Sequence, residues 1–136
     1  MIPSYLMTAL SAAFTILVIA VFSREWVFYT DIGVSEGSAG DAHGSVICIR
    51  PKYRGDVGLL EHERVHVRQF WRNPILFNFR YAFGRHYRLQ YEAEAYAAQA
   101  NCYADDRVPV LAARLADKYN LGITPEIAER AIREAM

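Results

Sequence analysis

Cysteine is scarce in this chain, which contains only Cys48 and Cys102. The two lie far apart and neither belongs to a Cys-x-x-Cys pair, so a disulfide framework is excluded and cysteine metal ligation is disfavoured. We interpret both as buried small apolar residues. An excess of charge of one sign is also absent, because 15 basic and 15 acidic side chains balance. No basic run occurs, and we therefore expect no nucleic-acid partner.

Charged residues are missing from residues 5–22, an apolar run slightly shorter than the roughly 20 residues that span a bilayer as a helix. We predict a membrane anchor in residues 1–26 and one folded domain in residues 27–136. Trp26 suits the membrane interface, and Arg24 favours a cytoplasmic position for the domain. A helix buried in a soluble fold or an oligomer is one alternative. A cleaved signal peptide is the other, but it fits less well because no Lys or Arg precedes the run.

The rest of the chain predicts an α+β fold that is mostly helical. Residues 27–30 and 46–50 have the β-branched and aromatic content of a short strand pair, and the Gly/Ser/Asp-rich segment between them predicts a loop. Helix signals follow, including a capping Asp56 and the sequence Thr124-Pro125-Glu126. The predicted helices cover residues 57–72, 75–84, 85–103 and 108–119, with a last one after Thr124.

The motif His-Glu-x-x-His occurs at His62, Glu63 and His66, inside the first of these helices. Residues one turn apart share a helix face, so both imidazoles can reach a single Zn²⁺ ion. The glutamate after the first histidine lies beside the metal position, where it can accept a proton from water. The alternative is two partly exposed histidines on a surface helix.

A catalytic zinc site of this kind needs a third protein ligand and leaves one position open. The candidates are Glu92, Glu94 and His86. Periodicity predicts a core stripe that separates the two glutamates and slightly favours Glu92, on the side of the helix that carries tyrosines. The stripe consists of Leu89, Ala93, Tyr96, Ala97, Ala100 and Ala104.

The stretches LLEHERVHVRQ and YEAEAYAAQ together resemble the gluzincin metallopeptidases, in particular their minimal bacterial and phage domains. The resemblance covers roughly residues 44–101 and implies a zincin-like domain with one Zn²⁺ per chain held by His62, His66 and Glu92. It departs from the larger members of the family at Tyr96, where they have an aspartate that orients a metal-binding histidine.

The resemblance implies a peptide or protein substrate, with Glu63 as the general base toward water that the metal activates. An oxyanion donor is also needed, and the candidates just upstream of Glu92 are His86, Tyr87, Arg88 and Tyr91. Gln69, one turn beyond His66, either contacts substrate, braces the site or is an exposed residue on the helix surface. The aromatic side chains of residues 71–83 suit a core or a lipid-facing surface.

Two other functions stay open at this point. The first is a structural zinc site without turnover, in which His86 fills the fourth position. The second is a membrane-associated assembly protein in which the motif is incidental.

Overall fold

A small sheet precedes one 3₁₀ turn (Pro51–Tyr53) and five α-helices in the computed structural model, which describes residues 11–15, 18 and 24–136. Residues 11–15 are helical, but most of the predicted anchor lies outside the described residues. No helix in the described part of the chain is long and apolar enough to cross a membrane. The α+β, mostly helical class is confirmed, whereas the zincin-like fold stays a prediction.

The sheet contains three strands, so the predicted strand pair is incomplete. They are β1 (Trp26–Tyr29), β2 (Gly40–His43) and β3 (Val46–Ile49). Their order is β1-β3-β2, with β1 parallel and β2 antiparallel to β3. Strand β2 lies within the segment that the sequence predicts to be a loop. A two-residue hairpin turn joins it to β3, and Gly44 adopts the positive φ of 63° that such turns favour.

Helix α1 (Val57–Arg72) has the predicted boundaries. The side chain of Asp56 caps its start by accepting a hydrogen bond from the backbone N–H of Leu59. Asn73 ends α1 and in turn caps α2 (Pro74–Phe83), so the two helices meet at a single residue. One face of α1 packs against the sheet through a small core that includes Ile47, Ile49, Leu59 and Val67.

Helix α3 (Arg85–Ala100) runs alongside α1 and ends three residues before its predicted limit. Ala93, Tyr96, Ala97 and Ala100 are buried, as the core stripe predicted, but Ala104 is exposed because the helix has already ended. The main core forms where α3 meets α4 (Val108–Lys118) and α5 (Pro125–Glu134).

The prediction of two buried cysteines is half wrong. Cys48 is buried on β3, whereas Cys102 is exposed in the turn after α3. Cys102 lies two residues beyond the end of α3, where its Sγ donates to the backbone carbonyl of Ala98.

Candidate metal centre

His62 and His66 lie one turn apart on the inner face of α1, which packs against α3. Their Nε2 atoms are 3.2 Å apart, and their rings meet edge to face. Only 4% of His62 is exposed. The side chain of His66 is 12% exposed, so both imidazoles point toward the interior and not toward the outer surface that the alternative assumed.

Glu92 is fully buried on α3 and faces both histidines. Its Oε2 lies 3.6 Å from Nε2 of His62, and its Oε1 lies 3.6 Å from Nε2 of His66. Ligands about 2.1 Å from a tetrahedral ion would be separated by about 3.4 Å, close to these distances. The three side chains thus form a group that can hold a metal ion.

The other two candidates for the third ligand lie elsewhere. Glu94 is on a different side of α3, where its carboxylate accepts hydrogen bonds from Gln69 and from Arg72. His86 is exposed and contacts the ring of Tyr87. Neither belongs to the group that His62, His66 and Glu92 form in the described part of the chain.

Gln69 is the partner that orients His66. The glutamine amide donates to the backbone carbonyl of Tyr91 at 3.0 Å and to Glu94 at 2.9 Å, which turns its Oε1 toward the imidazole. Nδ1–H of His66 donates to that oxygen at 2.9 Å. The proton is thereby held on Nδ1, and the lone pair of Nε2 points to the metal position. Gln69 braces the site and is 3% exposed.

Tyr96 supports His62 by packing instead of by hydrogen bonding. Its ring lies edge to face against the imidazole, with 4.5 Å between the ring centroids. Two buried polar atoms in the described site have no hydrogen-bond partner, Nδ1 of His62 and Oε2 of Glu92. An unsatisfied carboxylate oxygen is unfavourable in a buried position, and a bound cation would satisfy it.

The hydroxyl group of Tyr81, on α2, donates a hydrogen bond to Oε1 of Glu92. Burial opposes ionisation of Glu92, but attraction to His66 and His62 and the bond from Tyr81 outweigh it and lower its pKa to about 2. Glu92 is therefore a carboxylate at neutral pH, the form that binds metal ions.

Glu63 lies beside the group, 4% exposed, and faces the first residue of β2. A side chain on Gly40 would place its Cβ 3.3 Å from Oε1 of Glu63, so glycine leaves room for the carboxylate. Burial raises the pKa of Glu63, although attraction to His62 and His66 acts in the opposite direction. This carboxylate is therefore a stronger base than an exposed glutamate.

A cavity of about 490 Å³ opens over His62, Glu63, His66 and Glu92. Strand β2 forms one wall, and Phe77, Asn78 and Tyr81 of α2 form another. A neighbouring cavity of about 460 Å³ shares His62, Glu63 and Tyr119 with it. The candidate metal centre therefore lies at the floor of a cleft that is large enough for a segment of peptide.

The four predicted oxyanion donors, His86, Tyr87, Arg88 and Tyr91, do not line this cavity. Tyr81 and Tyr119 do, and neither was predicted from the sequence in this role. For Tyr81 the available signal was a hydroxyl group within a mostly apolar helix, because a buried tyrosine usually bonds to a partner. Arg88 holds both tyrosines indirectly, since its guanidinium donates to the backbone carbonyls of Tyr81 and Tyr119.

Comparisons of the chain with models of protein families, with curated proteins and with solved structures found no match.

Proposed function

We propose that this protein is a small zinc-dependent metallopeptidase. The observation that carries the proposal is the meeting of two histidines and a carboxylate, His62, His66 and Glu92, with a fourth buried side chain, Glu63, at the floor of one cleft. Three ligands with an open position and an adjacent base are typical of catalytic zinc sites.

The donor set fits Zn²⁺, because two imidazole nitrogens and one carboxylate oxygen are ligands that this ion accepts in tetrahedral geometry. His62, His66 and Glu92 would hold it, and when bound it would polarise the scissile carbonyl and activate water for attack. Gln69 keeps the lone pair of His66 directed inward.

Glu63 serves as the general base. Its carboxylate takes a proton from the attacking water and passes it to the leaving amine, so the C–N bond breaks and a carboxylic acid and an amine are released. Its raised pKa supports this role, because proton transfer is most effective when the pKa of the base approaches the working pH.

Tyr119 is the better placed of the two tyrosine hydroxyls to stabilise the oxyanion. Tyr81 already donates to Glu92, whereas Tyr119 lines the cavity and its hydroxyl group lies 3.4 Å from that of Tyr96. Burial raises the pKa of Tyr119 well above its usual value, which keeps it a neutral hydrogen-bond donor.

A peptide substrate is supported by the position of β2. This strand pairs with β3 on one side only, and it lines the cavity from Gly40 to His43. An extended peptide can add to such an edge through main-chain hydrogen bonds, which would bring a peptide bond over the metal centre.

The test measures hydrolysis of a library of fluorogenic peptides by the full chain, loaded with zinc and after chelation. We expect turnover that requires zinc and that falls about 100- to 10,000-fold in Glu63→Gln, with zinc content unchanged. Glu61→Gln is the matched control, since Glu61 lies on the same helix and pairs with Arg68. Bound zinc without turnover would favour the structural alternative, and turnover equal to wild type in Glu63→Gln would contradict the role of Glu63.

A further inference from the structure

Helix α2 is apolar, yet none of its residues is fully buried. Ile75, Phe79 and Phe83 recur once per turn and are 83%, 63% and 78% exposed. The opposite face of the same helix carries Phe77 and Tyr81, which line the cleft. The outer stripe therefore contributes nothing to the candidate metal centre, and aromatic side chains this exposed indicate an interaction surface.

Both tryptophans of the chain lie close to the corner where α2 begins. Trp26 and Trp71 are each 46% exposed, and both are hydrogen-bonded to Ser45, one through its backbone N–H and the other through its indole. The ring of Phe70 links Trp71 to Phe77 of α2. We use the name interfacial surface for the patch formed by Trp26, Trp71, Ile75, Phe79 and Phe83.

The apolar, uncharged segment 5–22 of the sequence ends four residues before Trp26. That segment therefore joins the domain next to the interfacial surface. Tryptophan side chains are enriched where protein crosses from hydrocarbon to water, so the two indoles suit this position.

The sequence around the interfacial surface is rich in arginine, which also favours contact with a membrane. Residues 64–91 contain six arginines and no aspartate or glutamate, although three of the six pair with carboxylates outside this segment. The guanidinium of Arg80, on α2, lies over the ring of Tyr87. Arg72 and Arg80 lie in or beside α2, and the Arg72 side chain is 65% exposed although it pairs with Glu94. An apolar helix face with a basic surround is suited to the headgroup layer of an anionic membrane.

We propose that the interfacial surface rests in the headgroup layer of an anionic lipid bilayer, with α2 lying along the membrane. Since the other face of α2 forms a wall of the cleft, the cleft would open close to the lipid surface. The inference does not depend on peptidase activity, because it uses only the outer face of α2 and the two tryptophans.

The test follows the fluorescence of Trp71 in full-length Trp26→Phe protein reconstituted into vesicles of phosphatidylglycerol and phosphatidylcholine with brominated acyl chains. Trp71 is then the only tryptophan, and it lies far along the sequence from the apolar segment. We expect the brominated lipid to quench Trp71 and aqueous iodide to lose access to it. This readout reports contact by the domain itself, even if the N-terminal segment alone holds the protein on the vesicle.

Ile75→Asp and Phe83→Asp should each remove most of this quenching. Ile32→Asp is the matched control, because Ile32 is 84% exposed, as Ile75 is at 83%, but it follows the far end of β1. Circular dichroism checks that each variant remains folded. Absence of quenching in the parent protein, or equal quenching in Ile75→Asp and Ile32→Asp, would overturn the proposal. A dimer in detergent that Ile75→Asp dissociates, without lipid quenching, would assign the surface to a second copy.

Discussion

Gln69 offers a sharp test of how the candidate site is organised, because it touches a predicted ligand without being one. It accepts from Nδ1–H of His66 at 2.9 Å and donates to the carbonyl of Tyr91 and the carboxylate of Glu94. Replacement by leucine keeps similar volume and removes all three bonds. His66 then loses the group that fixes its proton on Nδ1 and the direction of its ring.

The loss of such an orienting partner typically lowers metal affinity about 10- to 100-fold. We therefore expect zinc to bind Gln69→Leu more weakly by about 1.4 to 2.8 kcal/mol. Folding stability should also fall by about 1 to 3 kcal/mol, since Nδ1–H of His66 loses its acceptor inside the protein. Competition with a chromogenic chelator measures the affinity, and urea unfolding of the metal-free protein measures the stability.

Gln99→Leu controls for the loss of a buried amide. Gln99 is 4% exposed on α3, compared with 3% for Gln69, and donates to Tyr103 instead of contacting a histidine. It should lose stability and retain zinc affinity. Equal affinity losses in the two variants, or an affinity of Gln69→Leu within about twofold of wild type, would refute the orienting role, because the expected effect is at least about tenfold.

Three further predictions concern single substitutions. Elemental analysis should find about one zinc ion per chain in wild type, since catalytic zinc sites typically use three protein ligands. Glu92→Ala should lose the zinc and Glu94→Ala should keep it. The reverse pattern would identify Glu94 as the third ligand. In the metal-free protein, burial raises the folded-state pKa of Glu63 above 4.5, so ionisation of Glu63 lowers the folding stability as the pH rises. Glu63→Gln should therefore melt at a higher temperature than wild type at pH 7 but not below pH 4.5. A difference in melting temperature that does not change with pH would contradict this. Gly58→Ala should destabilise the protein by about 1 to 3 kcal/mol, because the new Cβ would lie 2.4 Å from the ring of Tyr103 and overpack this contact. An unchanged midpoint of urea unfolding would show that the ring of Tyr103 can move aside.

Local signals in the sequence predicted the helices well. Asp56 and Asn73 bound α1, and the spacing of His62 and His66 places both imidazoles on one face whatever the helix packs against. The end of α3 was harder to predict, because the spacing of its core stripe extends beyond Ala100 to Ala104. Strand β2 was not predicted because Gly40 and Asp41 have low strand propensity. Their pairing with β3 overrides that propensity in the fold.

The third candidate ligand of the metal centre could not be chosen from helical periodicity alone. The helical wheel alone nearly tied Glu92 with Glu94, and the family resemblance decided between them. In the fold, Glu92 faces the histidines, and Glu94 supports the same site from outside through Gln69. The side of α3 that faces α1 depends on how the whole helix packs, so no single residue on α3 predicts it.

The sequence by itself determined the two histidines, the glutamate between them and the helix that carries them, because an i, i+4 spacing and a helix cap act over a single turn. Only the tertiary structure decided which carboxylate meets the imidazoles, that Tyr81 and Tyr119 reach the cleft, and that His86 does not. Those contacts join residues distant in sequence, and they follow from which faces of α1, α2 and α3 are buried together.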